Sequence, residues 1–249
     1  MTPSQTDPYM WCIHGALQTP EVWDPLEGAF TMGGNKTLLF QLENLWQEDP
    51  GGFWEWAKNF CARVEQLGKG SRQVLIGYSL GGRLALHACL EKPGLWAAVV
   101  IIAADAGFQD DVHKARQIEI DRLWGQRFLE EDPGELIQEW DALPVFCGLP
   151  NLAFRELEKL DGKRIAAFFD RFSKGRQDDL LPRLKTLHTP PILYISGDKD
   201  IKYGKTGKAL ADQCPGVTHK VIKGAGHRVP WENREGFVKT VQNFLDLHL

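Results

Sequence analysis

The chain has 249 residues, 43% of them hydrophobic and 25% charged, the balance of an ordinary globular protein of one or two domains with a sizeable core. A formal net charge of −4 and the lack of any Lys/Arg run argue against a nucleic-acid surface. The polar stretch Met1–Pro8 and the strand-length apolar run after it give neither a signal peptide nor a transmembrane span. Five cysteines (Cys12, Cys61, Cys89, Cys147, Cys214), scattered and without C-x-x-C spacing, read as buried reduced thiols of a cytoplasmic protein.

Met10-Trp11-Cys12-Ile13 is a short apolar strand running into His14-Gly15-Ala16-Leu17. His14, directly after a strand, suits a structural role in holding the loop better than that of a catalytic base. Pro20-Glu21-Val22-Trp23 opens a helix from which Trp23 would roof a cleft. Thr37-Leu38-Leu39-Phe40 reads as the next strand, and residues 53–67 carry apolar side chains at helical spacing. Gln73-Val74-Leu75-Ile76 is a buried strand, and Arg83 to Leu90 has the composition of a helix. Between them lies Gly77-Tyr78-Ser79-Leu80-Gly81-Gly82, a G-x-S-x-G pattern in a strand–turn–helix setting. The glycines relieve crowding at a sharp turn, which pushes the Ser79 hydroxyl out at the carboxyl edge of a sheet. This is a nucleophile elbow. The backbone N–H groups of Leu80 and of Ala16 (Leu17 is its neighbouring candidate) would form an oxyanion hole.

Ala97 to Ile102 is a further apolar strand. From about Gly107 to Lys185 the alternation stops, and the pattern is helical over 112–129, 134–140, 152–160 and 164–172. Inserted between two strands, this block would be a lid over the catalytic edge, with residues 1–106 and 186–249 as the core. Strand returns at 191–196, before Gly197-Asp198-Lys199-Asp200, and at 218–222, before Gly224-Ala225-Gly226-His227. A helix over 234–247 closes the chain. Strands that alternate with helices and are buried on both faces predict an α/β fold, a mainly parallel sheet covered on two sides.

Ser79, Asp200 and His227 then stand on three strand ends of one sheet. A serine hydroxyl needs a base within hydrogen-bonding distance, and an imidazole takes its proton near neutral pH. A buried carboxylate fixes the imidazole tautomer and stabilises the imidazolium. The order Ser, Asp, His suits this architecture. Asp198, two residues earlier, and Asp105, after the 97–102 strand, are rivals to Asp200.

The elbow with its downstream Gly-Asp-Lys-Asp and Gly-Ala-Gly-His resembles the α/β-hydrolase superfamily over nearly the whole chain. More narrowly, four features resemble the 2-succinyl-6-hydroxy-2,4-cyclohexadiene-1-carboxylate synthases of menaquinone biosynthesis. They are Arg83 after the elbow glycines, Asp121-Arg122-Leu123-Trp124-Gly125-Gln126-Arg127-Phe128-Leu129, Trp140 with Pro144-Val145-Phe146, and Gly197 to Tyr203 around the acid. The resemblance implies a cofactor-free and metal-free lyase that eliminates pyruvate from a polycarboxylate cyclohexene adduct, its triad abstracting a ring proton. It implies Arg83 as an anion clamp on the pocket floor and Tyr78 as a substrate contact. Arg116 or Arg122 would be a second clamp and Trp140 an aromatic wall. The sequence departs from the family at Ala103-Ala104-Asp105-Ala106-Gly107-Phe108, where Asp105 would repel an anion unless paired. The expected partner is a small anionic molecule, with neither nucleic acid nor membrane, for a monomer or weak homo-oligomer. The enzymatic alternative is a carboxylesterase or thioesterase forming an acyl-enzyme at Ser79. The other is a binding protein on the same fold, against which the intact triad counts.

Overall fold

A computed structural model of the chain describes residues 8–32, 36–45, 51–68, 70–153, 155, 161–186, 188 and 190–249. Its main strands are β1 (Tyr9–Ile13), β4 (Leu39–Glu43), β5 (Gln73–Tyr78), β6 (Ala98–Ile102), β7 (Ile192–Gly197) and β8 (Val217–Ile222). They form one sheet in the order β4-β1-β5-β6-β7-β8, every pair parallel. Two short strands, β2 (Thr31–Met32) and β3 (Lys36–Thr37), pair antiparallel ahead of β4.

Successive side chains of a strand point to opposite faces. Trp11, Leu75, Val99 and Tyr194 therefore join one apolar layer, with α1 (Phe53–Leu67) and α2 (Leu80–Glu91). Met10, Val74, Val100 and Leu193 join the other, with α9 (Arg234–His248). Burial on both faces is why these strands read as unbroken apolar runs. Trp23, on a 3-10 turn over Pro20–Leu26, is fully buried beside Trp231, so it is a core residue and roofs no cleft.

Between β6 and β7 lie α3 (Asp111–Glu130), α4 (Pro133–Asp141), α5 (Gly162–Arg171) and α6 (Leu181–Thr186). The first three start at Asp110, Asp132 and Asp161, each accepting an N–H from its own first turn. Gly125 lets α3 lie close on α5, since a Cβ there would stand 3.2 Å from the Ala166 backbone. The helix expected over 152–160 falls largely outside the described residues.

Helix α7 (Ile201–Gln213) is absent from the sequence-based elements, because Gly204 and Gly207 weaken its helical pattern. Gly207 is set by packing: a Cβ would meet the Tyr194 and His219 rings at 2.5 and 2.6 Å. A four-residue helix, α8 (Val229–Glu232), follows the His227 loop. Four cysteines are buried free thiols, whereas Cys147 is exposed, contrary to expectation, in a left-handed turn with φ 57°. No described helix is long and apolar enough to cross a membrane.

The strand-to-helix turn at Ser79 fixes the catalytic edge. Ser79 has φ 52° and ψ −109°, outside the regions an L-residue prefers. Its N–H donates to the Ile102 carbonyl at 2.8 Å, which ties the turn to β6. A Cβ at Gly77 would collide with the Gly81 carbonyl, and one at Gly81 with the Ile13 carbonyl. Gly81→Ala should therefore lower stability by about 2 kcal/mol or more, as an overpacked site against backbone that cannot yield. Urea unfolding followed by circular dichroism checks this.

Candidate active site

Three loops at the carboxyl ends of β5, β7 and β8 bring Ser79, Asp200 and His227 together. His227 Nδ1 lies 2.8 Å from Asp200 Oδ2, and His227 Nε2 lies 3.2 Å from Ser79 Oγ. A carboxylate only accepts, so the proton is on Nδ1 and the Nε2 lone pair faces the hydroxyl. Asp200 caps α7, its Oδ1 accepting the Tyr203 N–H at 3.1 Å, so a helix N-terminus also supports its charge. Both Asp200 and His227 are buried, and the imidazole is walled by the rings of Tyr203, Tyr78 and Phe146. Asp198, the first rival, is on the outside and accepts from Gly224 N–H.

Asp105, the second rival, is spent elsewhere. Its Oδ2 accepts from Lys174 Nζ at 2.8 Å and from the Tyr203 hydroxyl at 3.0 Å, with Lys202 Nζ 3.7 Å away. Burial alone would raise its pKa, but Lys174 and Lys202 outweigh that and hold it below the ordinary carboxylate value. The loop carrying it is pinned by Tyr194, whose hydroxyl donates to the Ala104 carbonyl and accepts from the Ala104 N–H.

Ser79 opens into a cavity of about 310 Å³, which Ala16 and Leu80 also line. The Leu80 amide belongs to the first turn of α2, where N–H groups have no acceptor within the helix. Positive φ at Leu17 (54°) turns the β1 loop back at this point, and Leu17 itself is fully buried. His14 braces the loop: Nδ1 lies 2.8 Å from the Gly15 carbonyl, and Nε2 accepts the Leu45 N–H at 3.3 Å. One wall of the cavity is aromatic, built from Trp140, Phe146, Phe168, Phe169 and Phe172. Arg83, Lys174 and Lys202 line it too, with Asp121 as the carboxylate among the lining residues.

Arg83 lines the cavity, its Nη1 donating to the Phe172 carbonyl at 3.0 Å and its guanidinium over the Phe53 ring. Burial lowers its pKa, opposed chiefly by Asp121. Trp140 lines the cavity and also a smaller adjoining recess at Ser79, which Tyr78 lines as well. Arg116 and Arg122 are not brought to the site. Both are exposed on the outer face of α3, where Arg122 pairs with Glu119 one turn away. The inner face of α3 presents Gln117 and Asp121, four residues apart, and Gln117 Nε2 donates to Asp121. Lys174 escapes sequence reasoning because it sits on an isolated 3-10 turn, Lys174–Arg176. Burial lowers its pKa to about 8 against the pull of Asp105.

A serine on a strained elbow, hydrogen-bonded to a histidine and an aspartate from later loops of a parallel sheet, defines the serine-triad enzymes of the α/β-hydrolase class. Comparison with known proteins agrees: the chain belongs to the alpha/beta hydrolase family, whose profile matches residues 12–240. The 2-succinyl-6-hydroxy-2,4-cyclohexadiene-1-carboxylate synthase of Escherichia coli O1:K1 is 33% identical over 175 residues, 69% of this chain and 67% of that one. The protein of the same name from Salmonella newport is 34% identical over 178 residues, 70% and 68% of the two chains. Among solved structures, MenH from S. aureus superposes with a TM-score of 0.84 at 20% identity, covering 96% of this chain and 94% of its own. A thermophilic esterase from Thermogutta terrifontis superposes with a TM-score of 0.69 at 19% identity over 96% and 90%.

Two buried imidazoles outside the triad contribute to the acid limb of stability. Burial lowers the pKa of His14 and of His87 from 6.5 to about 4. Above pH 6.5 both are neutral folded or unfolded; as pH falls towards 4 the unfolded chain takes up protons that the folded chain refuses. Folding free energy should then decline by up to about 1.4 kcal/mol per pH unit for each histidine. Urea titrations between neutral and acid pH measure the slope, and His14→Gln should make it shallower.

Proposed function

We propose that this enzyme is a cofactor-free lyase that eliminates pyruvate from a polycarboxylate cyclohexene intermediate, giving 2-succinyl-6-hydroxy-2,4-cyclohexadiene-1-carboxylate for menaquinone or phylloquinone biosynthesis. The observation that carries it is that three cations, Arg83, Lys174 and Lys202, line the same cavity as Ser79. A substrate with several carboxylates needs such cations, and a neutral ester gains nothing from them. The names and identities of the curated relatives support the same reading.

In this mechanism Asp200 orients His227, His227 withdraws the Ser79 proton, and Ser79 Oγ takes a proton from the substrate ring. The electron pair left on the ring forms a double bond and expels the pyruvate unit as its enolate. The abstracted proton then returns through His227 to the enolate carbon, which gives pyruvate and restores the triad. Developing negative charge falls to the amides of Leu80 and Ala16. The helical insertion over 107–185 acts as the lid, its aromatic wall excluding water from the carbanionic step.

Assay of pyruvate release from the authentic intermediate tests this directly. Ser79→Ala and His227→Ala should each reduce it at least about a thousandfold, with thermal midpoints close to the wild type. Short p-nitrophenyl esters should turn over slowly and without a burst; rapid turnover with a burst would favour the acyl-enzyme reading.

Arg83→Ala should raise KM for the anionic substrate about tenfold or more, since a charge-assisted hydrogen bond contributes roughly 1.5–3 kcal/mol. An unchanged KM removes Arg83 from the anion site.

A further inference from the structure

Ser79 stands at the junction of two spaces. The larger is the cavity holding Arg83; the smaller is a recess that shares Ala16, Ser79, Trp140 and Phe146 with it and carries Arg155 and Arg228. The side chain of Arg228 is 2% exposed and that of Arg155 is 8% exposed. Both hold Asp141, on α4. Arg155 donates to its two oxygens at 3.1 Å each, and Arg228 Nη2 donates to Oδ1. One carboxylate thus serves two guanidiniums.

The remaining donors are not matched. Arg228 Nη1 and Arg155 Nε are buried and have no acceptor among the described residues. Arg228 presses its flat face on Phe146, its guanidinium carbon 3.6 Å from the ring centroid, which leaves its N–H edge for polar partners. Glu232 influences Arg228 electrostatically, but its Oε2 accepts the Gly226 N–H and it does not line the recess. A charged N–H buried without a protein acceptor is unfavourable and needs a partner, which a ligand oxygen or an ordered water would supply. The recess offers about 20 Å³ against about 310 Å³ for the main cavity, so it admits the tip of one small polar group and not a ring.

We propose that this recess is a second carboxylate subsite, in which one carboxylate arm of the substrate passes Ser79 and accepts hydrogen bonds from Arg228 and Arg155. The proposal deepens the polycarboxylate-lyase reading and rests on it for the identity of the arm. Arg228 directly follows His227 in sequence, so the loop that delivers the base also delivers the clamp. With Arg83 binding a carboxylate in the larger cavity, the ring is held by clamps in two spaces that both reach Ser79. Arg228 and Arg155 are specificity residues here and take no part in proton transfer.

The test combines two readouts on the full-length protein: calorimetric binding of succinate, as a free dicarboxylate, and KM for the authentic intermediate. Arg228→Gln and Arg155→Gln should each weaken succinate about ten- to a hundredfold and raise KM by a similar factor, with kcat also lowered because the ring is held less firmly over Ser79. Arg228→Lys should recover part of the loss. Should Arg228→Gln fail to fold, Arg155→Gln leaves Asp141 paired with Arg228 and reads the same subsite. Failure of wild type to bind millimolar succinate would overturn the proposal. So would equal binding by wild type and both glutamine variants, or loss of binding on Arg83→Ala alone. A wild type that binds succinate through Arg228 yet releases no pyruvate would instead sink the lyase reading and leave the subsite standing.

Discussion

Ser79 holds a backbone conformation that an L-residue leaves at the first opportunity, and the catalytic edge is arranged so that it has none. Strain of this kind is on the order of 1–3 kcal/mol and persists only where the surroundings over-determine it. Here β5 is paired on both sides, to β1 and to β6, and the serine's own N–H is fixed to the end of β6. On the helix side, Gly81 rests against the carbonyls of Ile13 and His14, so α2 begins in contact with the loop that carries Ala16. The same close approach brings Ala16 and Leu80 to one cavity wall. The elbow serine and the two residues proposed as oxyanion donors are therefore products of one packing constraint.

Charge is organised around Asp105 in a comparable way. Left alone after β6 it would repel an anionic substrate, yet it anchors Lys174, lies near Lys202 and accepts from the Tyr203 hydroxyl. Tyr203 in turn packs on the His227 ring and donates its amide to Asp200. The carboxylate that departs from the family pattern thus holds two cations at the cavity edge and braces the residue behind the base. Removing the negative charge would loosen these cations, and removing the cations would leave a buried carboxylate unpaired.

How much of this was legible in the sequence follows from how local each signal is. The elbow, the Asp200 turn and the His227 loop are short segments at strand ends, and the strands themselves are apolar runs, so fold and triad can be read from neighbours in sequence. Arg83 is legible for the same reason, one turn beyond Ser79. Arg116 and Arg122 are not, because the buried residues of α3, Gly125 and Phe128, fall near its carboxyl end and no apolar stripe marks Gln117 and Asp121 as the residues that line the cavity. Lys174 and the Arg155–Asp141–Arg228 cluster are decided by contacts between segments 69 and 87 residues apart, which no periodicity records.

The triad alone does not select a reaction, since one geometry serves acyl transfer and proton abstraction. Selection lies in how a substrate is oriented over Ser79. A single cationic clamp fixes one end of a ring and leaves it free to swing, so the C–H that must face Oγ is in place only part of the time. Clamps in two spaces that meet at Ser79 remove that freedom, and orientation of this kind is among the largest contributions an enzyme can make to a barrier. One of those clamps comes from the elbow helix and the other from the base loop and the helical insertion. The core sheet supplies reactive groups common to the class, and on the proposed reading the insertion, by contributing Asp141, Arg155 and Lys174, is where selection among reactions lies.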